Sequence, residues 1–337
     1  MLEQLYFAME VFLNGLMAGV LYALVALGFV LIFKASGIFN YAQGVMALFS
    51  ALTLVGIMDG QVPFSHIINA TFGTDIHHFG WHVPALFAIF GTVIVMVLFA
   101  WIVQRYIFRH LVGQEPIILF MATIGLAYFL EGVGDLMWGS EIKKLVVGLP
   151  QGINDTIDQV TYEMFGYGFF IDNLDIVATV VAVLLVIGLV IFAQYSKEGR
   201  AMRAVADDHQ AALSVGVSLN FIWIMVWSVA GFVALVAGIM WGTKSGVQFS
   251  LSLIALKALP VLMLGGFTSI PGAIVGGLII GVGEKLFEFF MSSSALAGEL
   301  FGFTISATEN WFAYVLALIF LVFRPQGLFG EKIIERV

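Results

Sequence analysis

The sequence predicts an all-α protein: a polytopic transmembrane helical bundle of about eight or nine spans, with one or more broken helices. Three observations predict it. Of 337 residues, 61% are hydrophobic and only 11% charged, against about half and about a quarter in an ordinary soluble domain. Mean hydropathy is +1.03. Apolar runs long enough to cross a bilayer recur from one end of the chain to the other, and 37 glycines accompany them, as is usual for membrane helices.

A crossing helix needs about 20 apolar residues. Such runs lie near 8–33, 40–58, 83–104, 116–138, 174–194, 219–241, 272–291 and 308–323. The N-terminal MLEQLYFAME lacks a basic n-region, so the first run is expected as a retained span rather than a signal peptide. A further stretch, 249–266, contains Lys257 and Pro260 and reads either as a crossing kinked at the proline or as a re-entrant segment. The whole, 1–337, is expected as a single transmembrane domain.

Basic residues favour the cytoplasmic side. Placing Lys34, Arg105, Arg109, Lys197, Arg200, Arg203, Arg324, Lys332 and Arg336 there puts the N-terminus outside and the C-terminus inside. That arrangement requires an odd number of crossings and favours 249–266 as the ninth. The alternative is an interfacial N-terminal helix with another count. The longer loops, 59–82 and 139–173, are then external.

Several function classes drop out. With no cysteine there is no disulfide, thiolate metal site or cysteine nucleophile. No basic patch interleaves with aromatics, so nucleic acid is not an expected partner despite the net charge of −8 mattering little either way. The phosphate loop G-x-x-x-x-G-K-[ST] and the G-x-S-x-G and H-E-x-x-H motifs are absent, so no enzyme is expected. His77, His78 and His82 follow Asp75 in the 59–82 loop, but their spacing matches no ligand pattern, and no metal is expected.

Glycine pairs four apart, Gly15 with Gly19 and Gly272 with Gly276, line one helix face with small residues; packing within the chain is the preferred reading over a subunit interface. The breaks 36–44 and 264–272 must be covered by protein or face a water-filled path. That makes Asn40, Tyr41, Gln43, Thr268 and Ser269 candidate pathway residues, and Gly265 and Gly266 candidate packing positions. A weak echo links the two breaks, each flanked by apolar helices, as in paired interrupted segments of transporters. Lys257, inside an apolar stretch, is expected to be functional or paired. Glu131 with Asp135, and Glu284 with Lys285 and Glu288, are expected at interfacial or solvated positions.

Residues 195–218 stand apart. Lys197, Glu198, Arg200, Arg203, Asp207, Asp208 and His209 are too many charges to cross a bilayer. The pattern is helical, with Gly216 as a stop. Arg203 and Asp207 can pair at i, i+4, and Ala201, Val205, Ala212 and Leu213 can form an apolar stripe. An amphipathic helix on lipid headgroups is one reading. The mixed polar face and small apolar stripe favour a protein groove.

Four runs then resemble a known family. Gly199-Arg200-Ala201-x-Arg203-Ala204, followed by Asp207, Ala211 and Gly216, is similar to the cytoplasmic signature of the LivH-type permeases of branched-chain amino acid ABC importers, the hydrophobic amino acid uptake family. Gly19-x-x-Tyr22-Ala23-Leu24-x-Ala26-x-Gly28 leads to Asn40-Tyr41-Ala42-Gln43-Gly44, where the family usually has Phe in place of Tyr41. Leu264-Gly265-Gly266, Ser269, Pro271-Gly272-Ala273 and Gly276-Gly277 resemble its Gly-rich motif, and Arg324-Pro325-x-Gly327-Leu328-Phe329-Gly330 its tail. The resemblance implies an inner-membrane permease subunit of a bacterial ATP-driven importer. It implies a second homologous permease, two cytoplasmic ATPases that use ATP and Mg, and a periplasmic solute-binding protein, with no cofactor on this chain. It makes 195–218 the ATPase-coupling segment. Related permeases carry branched-chain amino acids, urea, short amides or aromatic acids. A proton-coupled carrier using Lys257 or Glu131, and a passive channel, are the readings outside the family.

Overall fold

The computed structural model describes residues 2–111, 114–207, 209–292 and 309–330. Among them there are helices and three isolated β-bridges, and no strand. The long apolar helices are α1 (Leu2–Ser36), α4 (Ala85–Tyr106), α5 (Pro116–Trp138), α7 (Asn173–Tyr195), α10 (Leu219–Ser245) and α12 (Ile270–Ser292). Among the described residues these six are long and apolar enough to cross a membrane. Shorter apolar helices are α2 (Gln43–Met58), α11 (Ile254–Gly265) and α13 (Glu309–Phe323). Every expected span thus coincides with a helix.

The loops hold helices that hydropathy did not disclose. α3 (Ser65–Phe72) lies in the 59–82 loop and α6 (Asp155–Phe165) in the 139–173 loop. Asn154 caps α6, its Oδ1 accepting from Ile157 N–H at 2.9 Å, and Asp155 and Asp158 complement the positive helix start. The charged segment is α8 (Lys197–Asp207) followed by α9 (His209–Ser214).

The chain divides into two compact units. One is built from residues 27–148 and 189–255. Its centre is α2, buried from Gln43 to Gly56 and packed by α4, α5 and α10. A helix apolar all round belongs in a core, which explains why α2 can be short. Its 16 residues rise only about 24 Å, less than the hydrocarbon thickness.

The other unit is built from residues 1–26, 149–188 and 256–337. In it α1 and α12 cross at glycines: a Cβ on Gly19 would lie 2.6 Å from the Gly277 carbonyl oxygen, and one on Gly15 would lie 2.8 Å from Val282 Cα. No side chain fits either position, so the glycine spacing serves packing within the chain.

The 249–266 stretch is not one helix. A 3-10 turn over Phe249–Leu253 leads into α11. The 12 residues of α11 rise about 18 Å, short of a crossing. Pro260 lies inside α11 without ending it, so the break falls at the 3-10 junction rather than at the proline. Proline cannot donate to the carbonyl four residues back. That carbonyl, Leu256, accepts instead from the Tyr314 hydroxyl at 2.7 Å.

Candidate functional site: a charged elbow and two buried polar clusters

The last four carbonyls of any helix lack intrahelical partners. At the end of α7 all four are taken by the segment that follows. Phe192 O accepts from the Ser196 hydroxyl at 2.6 Å, and Tyr195 O accepts from Arg200 at 3.0 Å. The Arg203 guanidinium spans Ala193 O and Gln194 O. Ser196 also caps α8, its Oγ accepting from Gly199 N–H at 2.7 Å. Gly199 is buried against α7, where a Cβ would meet Ala193 O at 2.6 Å. Serine, glycine and two arginines therefore weld α8 to α7 as a rigid elbow, and the cations complement the negative helix end.

Arg203 reaches back to α7; the side chain of Asp207, its expected i, i+4 partner, lies outside the described residues, as does Asp208. One expectation from the sequence is corrected, in that the apolar stripe is shifted: Met202, Val205 and Ala212 are buried, whereas Leu213 is 53% exposed. After α9 ends, Gly216 at φ +85° turns the chain toward α10. The exposed face of the elbow carries Lys197, Glu198, Arg200, Ala204 and Ala211, and ends at exposed Gly216.

Of the break at 36–44, Asn40 and Gln43 are fully buried. Asn40 Nδ2 donates to Gln43 Oε1 at 3.2 Å, and Asn40 Oδ1 accepts from Ala42 N–H at 3.1 Å. Gln43 Nε2 donates to Ala230 O of α10 at 3.3 Å, and its amide lies against Gly28 of α1. The pair thus satisfies the backbone where it leaves α1 and pins α2 to α10. Tyr41 is different: its ring is partly exposed, and its N–H donates to the Thr123 hydroxyl at 3.1 Å.

In the other unit Lys257 is paired. Its Nζ lies 3.3 Å from Glu284 Oε1, and the Tyr22 hydroxyl donates to the same oxygen at 3.1 Å. The ammonium also lies 5.7 Å from the centre of the Tyr22 ring, within cation–π range. Glu284 is 1% exposed. The interfacial position expected for it is therefore wrong: Gly281 and Gly277 let α12 close on α1, which carries Glu284 inward to Tyr22. Lys285 and Glu288 pair at 3.1 Å and are partly exposed, and Glu131 and Asp135 are partly exposed and exposed, as expected.

The break at 266–269 is ordered by capping. Ser269 Oγ accepts from Gly272 N–H at 3.0 Å at the start of α12, and Thr268 is half-exposed. A Cβ on Gly276 would lie 2.6 Å from Val261 O, and Gly265 and Gly272 touch backbone to backbone. The tail closes on this turn: Leu328 N–H donates to Leu264 O at 2.8 Å and Phe329 N–H to Gly265 O at 3.1 Å. Gly266 at φ +102° and Gly327 at φ +79° adopt the left-handed backbone the contact needs. Two sequence runs more than fifty residues apart are thus one structural joint.

A cleft of about 540 Å³ opens beside the 59–82 loop, lined by Gln61, Ser65, His77, Asp135, Glu141 and Lys143 among others. Lys143 donates at 2.6 Å to both Gln61 Oε1 and Trp138 O. Burial holds its ammonium below the ordinary lysine range, against the opposing pull of Asp59 and Glu141. Sequence reasoning missed this lysine, because nothing in a loop pattern signals burial. Among the described residues no group of three or more His, Asp or Glu side chains could hold a metal.

Fold and clusters together define a multi-pass helical membrane protein with a charged elbow after α7 and polar clusters buried among its apolar helices. The profile of the family described as the permease component of branched-chain amino acid transport systems matches residues 11–324, and the chain belongs to that family. It is a transport subunit of the LivH type rather than an enzyme. BraD of Pseudomonas aeruginosa, a high-affinity branched-chain amino acid transport system permease protein, is 29% identical over 345 residues, covering 100% of both chains. LivH of Escherichia coli K12, which carries the same description, is 28% identical over 335 residues, 99% of this chain and 98% of that one. A probable LivH of Methanocaldococcus jannaschii is 26% identical, covering 92% of this chain and 89% of that one.

Proposed function

We propose that this chain is the membrane-spanning subunit of an ATP-driven importer for branched-chain amino acids, working with a second homologous permease, two ATPases that use ATP and Mg, and a solute-binding protein on the far side. The amino acid class rests on the names of relatives that match over nearly the full length. In this reading the chain lies in a bacterial inner membrane, N-terminus outside, C-terminus and elbow in the cytoplasm, with the 59–82 and 139–173 loops toward the binding protein.

The observation that carries the energy coupling is the elbow. All four terminal carbonyls of α7 are held by residues of the elbow, so a force on α8 is delivered to a membrane helix without slack. Differential contact with the elbow in two nucleotide states is what an ATPase needs to shift a two-state bundle. Glu198, Ala204 and Ala211, exposed and outside the weld, are the positions for ATPase contact, while Gly199, Arg200 and Arg203 form the joint. Asp207, Asp208 and Gly216 complete the proposed coupling segment. Tyr41, Thr268 and Lys257 are the proposed pathway positions, with Asn40, Gln43 and Ser269 shaping the backbone behind them.

Liposomes holding the full set of subunits test this. Leucine uptake that requires ATP and the binding protein, and that Ala204→Trp abolishes without displacing the binding protein, is the expected outcome. Uptake by the purified chain alone, driven by a proton gradient, would overturn it.

A further inference from the structure

The loop between α2 and α4 is firmly fastened, yet it holds its largest apolar side chains outward. Asn69 ties its tip: Nδ2 donates to Ile76 O at 3.2 Å, and Oδ1 accepts from Ile76 N–H at 3.0 Å and from the Thr74 hydroxyl at 2.9 Å. At its base Val62 N–H donates to His77 O at 3.0 Å, and Phe79 N–H to Gly60 O at 2.8 Å. Phe72 is nevertheless 74% exposed, Trp81 66% and Phe79 60%, with Ile67 and Ile76 roughly half-exposed.

None of these five lines the cleft beside the loop, which takes Gln61, Val62, Ser65, His77 and His78 from it. Asp75 lies 3.2 Å from His77. It is the one carboxylate from Gly60 to Pro84, a stretch without Lys or Arg. The loop thus has a polar edge along the cleft and an aromatic edge away from it.

What covers the aromatic edge follows from α4. That helix exposes Leu86, Phe87, Phe90 and Ile94, an apolar stripe suited to lipid. Its 22 residues rise about 33 Å, close to the hydrocarbon thickness, so its first turn lies at the boundary with the headgroups. Trp81 comes four residues before Ala85, within about 14 Å along the chain, and its ring centre is 6.2 Å from that of Phe79. Aromatic side chains with a polar tip gather at that level of a bilayer. A protein that docks and departs would return these apolar side chains to water in every cycle. A bilayer covers them throughout, and large exposed apolar patches mark surfaces that have a cover.

We propose that the 60–84 loop is an interfacial foot, in which Phe72, Ile76, Phe79 and Trp81, with Ile67 of α3, insert among the headgroups of the adjacent leaflet. The ligand is the phospholipid surface itself. With no cation on the loop other than its histidines, the foot recognises apolar depth and not headgroup charge. It sets the level at which α4 enters the membrane and leaves the cleft edge facing water.

Wild-type protein gives the first test. In phosphatidylcholine vesicles, a lipid-soluble diazirine followed by photolysis and peptide mass should tag residues within 72–81 as well as within 86–94 of α4. A tag confined to 86–94 overturns the proposal. The absence of native cysteine allows a second arm with spin labels on Phe72→Cys and Phe79→Cys. Phe90→Cys is the benchmark for lipid and Glu141→Cys, at an exposed position, the benchmark for water. The ratio of oxygen to nickel-chelate collisions at 72 and 79 should match that at 90, exceed that at 141, and stay the same when phosphatidylglycerol is added. A ratio equal to that at 141 places the loop in water. Labels shielded from both reagents place it under protein, a second copy included. A ratio that rises with phosphatidylglycerol makes the recognition electrostatic. Each of these overturns the foot, and a variant that fails to fold leaves the wild-type arm to decide.

Discussion

The Tyr314 hydroxyl donates at 2.7 Å to the Leu256 carbonyl, the one oxygen of α11 that Pro260 leaves without a helical partner. A side chain on α13 thereby repairs the ladder that proline interrupts, and α11 runs through Pro260 instead of ending there. Tyr314→Phe should expose the defect. Removing the donor leaves a carbonyl that lipid cannot satisfy, at a cost of about 1–3 kcal/mol. A lowered melting temperature in detergent, with the change localised to 254–265 by hydrogen exchange, checks this.

Arg203 presents its guanidinium to two carbonyls at once. Arg203→Lys keeps the charge but cannot span Ala193 O and Gln194 O. Faster amide exchange over 189–195 is expected, corresponding to about 0.3–1 kcal/mol of lost helix-end stabilisation. Uptake should fall with it. Unchanged exchange in this variant would remove the elbow's claim to rigidity.

At Gly19 the predicted effect is larger. Gly19→Val places a branched side chain where 2.6 Å separates a Cβ from Gly277 O. The helices must part, with loss of the contacts on both sides, and a penalty of about 3 kcal/mol or more is expected. Yield of monodisperse protein from membranes is the measurement, with Gly125→Val, at a position open to solvent or lipid, as the tolerant control.

Lys143 gives a pH prediction. Its native proton affinity is lowered by burial, with Asp59 and Glu141 opposing. Between that lowered value and the ordinary lysine pKa of 10.5, the unfolded chain binds more protons than the native one. Native stability from this group therefore rises as pH rises through that window. Lys143→Met should be less stable at neutral pH, because Gln61 and Trp138 lose their donor, and its stability should climb less between pH 8 and the unfolded lysine value than the wild type's. Thermal melts across that range compare the two slopes.

The bundle was legible because a bilayer imposes length: about 20 apolar residues per crossing leave a mark no loop imitates. The elbow was legible for the complementary reason, since seven ionisable residues in a row of apolar spans have nowhere else to go. Pairings at long range were not. Tyr22, Lys257 and Glu284 are separated by up to 262 positions, and the glycine contacts of α12 with α1 and with α11 bring them together. The reach of Arg203 back to the carbonyls of Ala193 and Gln194 crosses a turn between two helices, and a helical wheel displays only contacts within one. Helices α3 and α6 escaped because they bury little, and periodicity is visible only where a face is hidden. Pro260 misled for a physical reason: a proline forecasts a break, unless a distant hydroxyl supplies the missing donor.

The joint between Gly265–Gly266 and Gly327–Leu328 has a consequence for biogenesis. The unit that contains it also contains residues 1–26 and 149–188, so its earliest-made helix waits for its latest-made turn. Until the ribosome has delivered Leu328 and Phe329, the carbonyls of Leu264 and Gly265 lack the N–H groups that close them. The unit built from residues 27–148 and 189–255 is synthesised in full before this joint can close, so a nascent chain arrested before residue 328 holds that unit whole and the other open.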